Sequence, residues 1–134
     1  MKKRPYIMVV DDDREMLRML KRTLKLEGYD VTTAVDGSSA LALLGEHRLD
    51  LVILDIMMPE LNGFQVLELI RQRCSVPVIT LTARCEVNPL PRARVVGADD
   101  YVRMPFHTRE LVAHVESKLR HAGSFATEEG VGAS

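Results

Sequence analysis

The chain has 134 residues, 18 Lys+Arg against 19 Asp+Glu, a formal net charge of -1, and 46% hydrophobic but only 4% aromatic residues. That length sets a default of one domain with its own core. Even charge argues against a dedicated nucleic-acid binder, two cysteines (Cys74 and Cys85) build no disulfide framework, and no apolar run approaches the ~18 residues of a membrane span. Met1-Lys2-Lys3-Arg4-Pro5 is basic but lacks the apolar stretch of a signal peptide, so a reducing, cytoplasmic setting is expected.

In chain order, Tyr6-Ile7-Met8-Val9-Val10 reads as a buried strand that stops at Asp11-Asp12-Asp13. Met16, Leu17, Leu20 and Leu24 then recur at helical spacing, and Gly28 is placed to end that helix. Residues 31–35 are a second strand, closed by Asp36-Gly37, with Ser38 able to cap a short helix carrying Leu41 and Leu44. Leu51-Val52-Ile53-Leu54 is the most apolar strand and ends in Asp55. Asn62-Gly63 opens a helix with Phe64, Leu67 and Ile70. Val78-Ile79-Thr80-Leu81 is the fourth strand, ending at Thr82. A weak helix around Arg92 to Val96 precedes a short fifth strand at Tyr101-Val102, and Thr108 can cap a last helix with Leu111, Val115 and Leu119. From Ser124 the residues turn small and polar, so residues 1–121 are expected to form the domain and 122–134 a flexible tail or linker.

Strands alternating with helices imply crossover connections, and hence an α/β parallel sheet covered on both faces. Ligands of such sheets bind beyond the carboxyl ends of the strands. Those ends here carry Asp11-Asp12, Asp55 and Thr82. One acid at a strand end is usually a turn residue or a helix cap. Three converging acids beside a hydroxyl suit a hard divalent cation such as Mg²⁺, which relieves their repulsion.

From Pro5 to His121 the sequence resembles the receiver domain of two-component response regulators. The resemblance rests on Val9-Val10-Asp11-Asp12-Asp13, Leu54-Asp55-Ile56-Met57-Met58-Pro59, Asn62-Gly63, Leu81-Thr82-Ala83, Gly97-Ala98-Asp99-Asp100-Tyr101 and Pro105-Phe106, in order and at the right spacing. The wording is similar to the subfamily whose receivers precede a winged-helix DNA-binding domain.

The resemblance implies a flavodoxin-like, doubly wound five-stranded parallel sheet in the order 2-1-3-4-5. It implies that Asp55 is the phosphoacceptor, loaded from a phosphohistidine on a sensor histidine kinase. Asp12 would bind Mg²⁺ directly, Asp11 would assist through water, and the backbone carbonyl of Met57 would complete the metal site. The Thr82 hydroxyl and the Ala83 backbone amide would hold the phosphoryl group, and Tyr101 would turn inward as Thr82 moves. The output would be a DNA-binding domain or a separate effector. This chain itself would bind neither nucleic acid nor membrane, and would be no enzyme beyond self-catalysed phosphoryl transfer and its slow reversal by water.

The sequence departs from the family at two places. Where the family has Lys-Pro after the fifth strand, this chain has Met104-Pro105, a candidate cis peptide. Met supplies neither charge nor donor to a phosphoryl group, and Arg103 should point to the opposite side of the strand. Two readings follow: a phosphoacceptor weakened by the missing cation, and a pseudo-receiver that works as an interaction module without phosphorylation. The second departure is Asn88-Pro89-Leu90-Pro91, which should delay the next helix to Pro91. The family's homodimer face lies on that helix, the fifth strand and the last helix. Asp99, Asp100 and Glu110 match its acids, Leu90 stands where a basic partner is expected, and His114 replaces an Arg.

Other features read as ordinary surface or packing. His47, His107, His114 and His121 show no metal-ligand spacing, and the two cysteines have no redox pattern. Lys21, Arg22 and Lys25 form a solvated helix face or, with Met16 and Met19, a kinase-docking patch. An aspartyl phosphohydrolase on a similar sheet would place a second Asp two residues after the nucleophile, where this chain has Met57, and would need a cap for which there is no room.

Overall fold

In the computed structural model, residues 4–56, 63–82 and 98–131 are described, with side chains to residue 120. The aliphatic runs form five strands: β1 (Tyr6–Val10), β2 (Asp30–Ala34), β3 (Leu51–Asp55), β4 (Val78–Thr82) and β5 (Asp100–Arg103). The amphipathic stretches form α1 (Arg14–Leu26), α2 (Gly37–Glu46), α3 (Gly63–Arg73) and α4 (Thr108–Val131). All pairings are parallel, in the order β2-β1-β3-β4-β5. This is the architecture and strand order expected from the sequence.

Successive strand residues face opposite sides of a sheet, and the core divides accordingly. Ile7, Val9, Ile53, Ile79 and Leu81 pack on one side against Leu17, Leu20 and Leu24 of α1 and Leu111 and Val115 of α4. Met8, Val10, Val52, Leu54 and Val78 pack on the other against Ala40 of α2 and Val66, Leu67 and Ile70 of α3. β3 and β4 are buried throughout, which explains why they read as largely apolar runs and not as alternating ones.

The helix ends set the loops beside the sheet. Asp13 caps α1, its carboxylate accepting from the backbone N–H groups of Glu15 and Met16. Gly28 ends α1 with φ 98°, a left-handed conformation suited to glycine. The cap of α2 is Asp36, which accepts from the Ser39 N–H at 2.7 Å, and not Ser38 as the sequence suggested. The cap side chain must reach a backbone N–H two or three residues ahead, and Ser38 already lies inside the helix. At the start of α3, Gly63 sits so close to β3 that a Cβ there would stand 2.7 Å from the Ile56 carbonyl carbon and 2.8 Å from the Asp55 carbonyl oxygen.

The helical backbone of α4 continues to Val131, past the composition change at Ser124. Ala and Glu in that stretch are good helix formers. The expectations for Met57, Ala83, Cys85, residues 88–91 and the weak helix at 92–96 fall outside the described residues. No helix among the described residues is long and apolar enough to cross a membrane.

Candidate functional site

The strand register builds the site. Val10 pairs with Leu54 and Asp55 with Leu81, so β1, β3 and β4 end nearly level. The ladder then runs one residue further at each end. The Asp11 N–H donates to the Ala34 carbonyl at 3.1 Å, the Ile56 N–H to the Leu81 carbonyl at 3.2 Å, and the Met104 N–H to the Thr82 carbonyl at 2.8 Å. Asp11, Asp55, Thr82 and Met104 therefore stand along one rim of the sheet, fixed by main-chain bonds.

Asp11, Asp12 and Asp55 converge there, each with a carboxylate oxygen within 4.8 Å of the others. Asp11 is 1% exposed and Asp55 7%, whereas Asp12 is open to solvent. Burial pushes the Asp11 carboxyl up to about 8. The Asp13 backbone N–H, which donates to Asp11 Oδ1 at 3.0 Å, pulls the other way, while the neighbouring Asp55 and Asp12 carboxylates add to the rise. A hard cation relieves this strain between like charges, and the donor set, all carboxylate oxygen, suits Mg²⁺ or a similar ion.

Thr82 is fully buried, and its Oγ1 has no hydrogen-bond partner among the described residues. A buried hydroxyl left unpaired costs about 1–3 kcal/mol. Tyr101 lies half-buried in β5, in register with Thr80.

The structure thus brings Asp11, Asp12 and Asp55 together and places Thr82 and Met104 on the same rim. The Met104–Pro105 peptide is cis. Of the acids expected on a dimer face, Asp99 and Asp100 lie away from this rim and have partners within the chain. Asp99 is at the opposite end of β4, where its Oδ2 accepts from the Val78 N–H at 2.8 Å and from Arg71 Nη2 at 2.5 Å. Asp100 accepts from the Tyr101 N–H at 2.8 Å and contacts His114 Nδ1 at 2.5 Å. His114 is therefore not an idle surface histidine. Glu110 is exposed in the first turn of α4.

Two contributors were not assigned from the sequence. Asp13 holds both Asp11's neighbourhood and the start of α1, and the signal was available: an Asp just before a helical period is a cap. Arg71 closes the Asp99 contact across 28 residues, a pairing that no local pattern encodes.

Residues 7–116 match the sequence profile of the response regulator receiver domain. The chain is 46% identical over 124 residues to the transcriptional regulatory protein PrrA of Mycobacterium tuberculosis, covering 92% of this chain and 53% of that protein. It is 46% identical over 116 residues to the transcriptional regulatory protein CpxR of Escherichia coli, covering 87% of this chain and 50% of that one. The chain thus spans about half the length of these relatives. Among solved structures, a CheY-like receiver domain protein from Methanospirillum hungatei superposes with a TM-score of 0.85 at 28% identity, covering 91% of this chain and 98% of that one. A Francisella response regulator receiver domain does so with a TM-score of 0.81 at 32% identity, covering 88% and 98%.

Proposed function

Because this chain belongs to the response regulator receiver family, we propose that it accepts a phosphoryl group on Asp55 from a sensor histidine kinase and passes the change to a transcriptional output. The observation that carries this reading is the convergence of Asp11, Asp12 and Asp55 on the rim that also carries the Thr82 hydroxyl, which has no hydrogen-bond partner among the described residues. Asp55 is the acceptor: its carboxylate oxygen attacks the phosphorus, the phosphorus–nitrogen bond of the donor phosphohistidine breaks, and the departing imidazole nitrogen takes a proton. Asp11 and Asp12 hold Mg²⁺ with Asp55, and the Met57 carbonyl is assigned as a further ligand by family resemblance. Bound Mg²⁺ supplies the charge neutralisation that phosphoryl transfer needs. The Thr82 hydroxyl donates to a phosphoryl oxygen, with the Ala83 amide beside it, and Tyr101 changes its packing in response.

The output is a DNA-binding domain joined to the receiver or a separate effector, in line with relatives about twice as long that are named transcriptional regulators. The receiver unit is taken as residues 1–121, the family match ending at 116. A homodimer through β5 and α4 would have to form around Asp99 and Asp100 as they stand, each already engaged within its own chain.

Incubation with Mg²⁺ and a small phosphodonor tests the central claim. Intact mass should show one added phosphoryl group, lost in Asp55→Asn. Measurable Mg²⁺ binding with no adduct would refute Asp55 as an acceptor.

A further inference from the structure

Resting on the reading of Asp11 and Asp12 as metal ligands, we propose that Asp13 is a positioning residue for that pair: by capping α1 it holds the turn over 11–13 in the shape that presents both carboxylates to the cation. The turn is short and anchored on each side. The Asp11 N–H ties it to the sheet by donating to the Ala34 carbonyl at 3.1 Å. Helix α1 is tied to the same sheet through Leu17, Leu20 and Leu24 in the core. Asp12 and Asp13 alone lie between Asp11 and the first helical residue, Arg14.

Asp13 joins the two anchors through backbone and side chain alike. Its N–H donates to Asp11 Oδ1 at 3.0 Å. Its Oδ1 accepts from the Glu15 N–H at 3.0 Å and the Met16 N–H at 3.2 Å. Its carbonyl accepts from the Leu17 N–H at 3.0 Å. The side-chain bonds hold Asp13 at φ -87° and ψ 106°, the extended conformation of a cap. Without them the first turn of α1 loses its acceptor and residue 13 is free to change conformation. Its N–H then swings away from Asp11, which is 1% exposed and has little solvent to replace the bond. Asp12, exposed between the anchors, takes its direction from the backbone on either side. Outer hydrogen bonds of this kind orient metal ligands, and losing one costs about 10–100-fold in metal affinity. Capping geometry does this work, and charge does not, because a neutral acceptor caps as well as a carboxylate.

Mg²⁺ titration calorimetry, set beside thermal unfolding, provides the test. Wild type, Asp13→Ala, Asp13→Asn, Asp13→Ser and Asp36→Ala are compared at a temperature where each is fully folded. Asn and Ser cap about as well as Asp, whereas Ala does not, and all three substitutions at Asp13 remove the same charge. Asp13→Ala should bind Mg²⁺ about tenfold more weakly than Asp13→Asn and Asp13→Ser, the lower end of the loss for an orienting bond. In the metal-free protein, amide hydrogen exchange at residue 13 should be faster in Asp13→Ala than in the two capped variants. Asp36→Ala removes the α2 cap and its bond to the Ser39 N–H. It should lower the melting temperature and leave Mg²⁺ affinity at the wild-type value. Equal affinities in the three Asp13 variants, or an equal loss in Asp36→Ala, would overturn the positioning role while the metal site stands. No Mg²⁺ binding by folded wild type would instead defeat the reading of the acids as metal ligands, and this proposal with it.

Discussion

The same residue type does opposite work at the two ends of this sheet. At the carboxyl rim, Asp11 and Asp55 are buried with other carboxylates close by, and the Asp11 carboxyl is pushed up to about 8. At the amino end of β4, Asp99 accepts from a backbone N–H and an arginine. The first arrangement costs stability and suits the binding of a cation, as proposed above. The second contributes stability and needs no ligand. Crowding of acids therefore separates the candidate site from the scaffold here, where a count of acids would not.

The largest effect should come from the rim. Asp12→Ala should weaken Mg²⁺ binding by at least about a hundredfold, beyond what losing an outer partner of a metal ligand costs. Isothermal titration calorimetry measures it directly. Unchanged affinity would break the assignment of this cluster as the metal site.

A second test uses one substitution at both ends. Asp11→Asn should raise the stability of the metal-free protein near pH 8, whereas Asp99→Asn should lower it. The sign at Asp11 follows from linkage. Its folded pKa, about 8, lies above its ordinary value of 3.8. Its contribution is thus fully present below pH 4 and is lost as pH rises through 8. Asn keeps the acceptor for the Asp13 N–H and does not ionise, so the difference from wild type should grow across that window. At Asp99 the change weakens the bonds to Val78 and Arg71 and should cost about 1–2 kcal/mol, reduced by the solvent exposure of the pair. Urea denaturation without metal reads both, and equal signs would remove the distinction drawn above.

Most of the fold was legible because the local signals agreed with one another. Leu51–Leu54 is apolar without interruption, and Val78–Leu81 with one threonine, because both faces of β3 and β4 are covered. The acids of the rim were legible for a related reason: each stands where an apolar run stops, and a parallel sheet brings those stops together. Partnerships set by tertiary approach were not legible. Arg71 meets Asp99 only after α3 and β5 are laid beside β4. Gly63 looked like a helix opener, yet its lack of a Cβ answers to the Ile56 backbone. Ser38 was a reasonable cap until the turn of the chain put Asp36 in the capping position.

Gly63→Ala tests how tightly α3 is set against the end of β3. Its Cβ would meet main-chain atoms of Asp55 and Ile56, which cannot swing aside as a side chain can. Overpacking of this kind costs about 1–3 kcal/mol, and the displacement falls on Asp55, the proposed acceptor. Thermal unfolding should shift down while Mg²⁺ affinity falls as well, a pairing that simple destabilisation far from the rim would not produce.

The smallest effect should come from His114. Its Nδ1 lies 2.5 Å from Asp100 Oδ2, but the two side chains remain 32% and 22% exposed. Solvent screens a contact of that kind, and removing it should cost about 0.5–1 kcal/mol. Asp100 also accepts from the Tyr101 N–H, so His114→Gln leaves part of its bonding in place. The contact joins α4 to the strand that carries Tyr101, so the change should appear in the Tyr101 environment by NMR even where stability barely moves. Mg²⁺ affinity at the rim should stay at the wild-type value. A fall in that affinity comparable to the one expected for Asp12→Ala would mean that the two ends of the sheet are not independent, and that the acids of the β5–α4 face belong to the site after all.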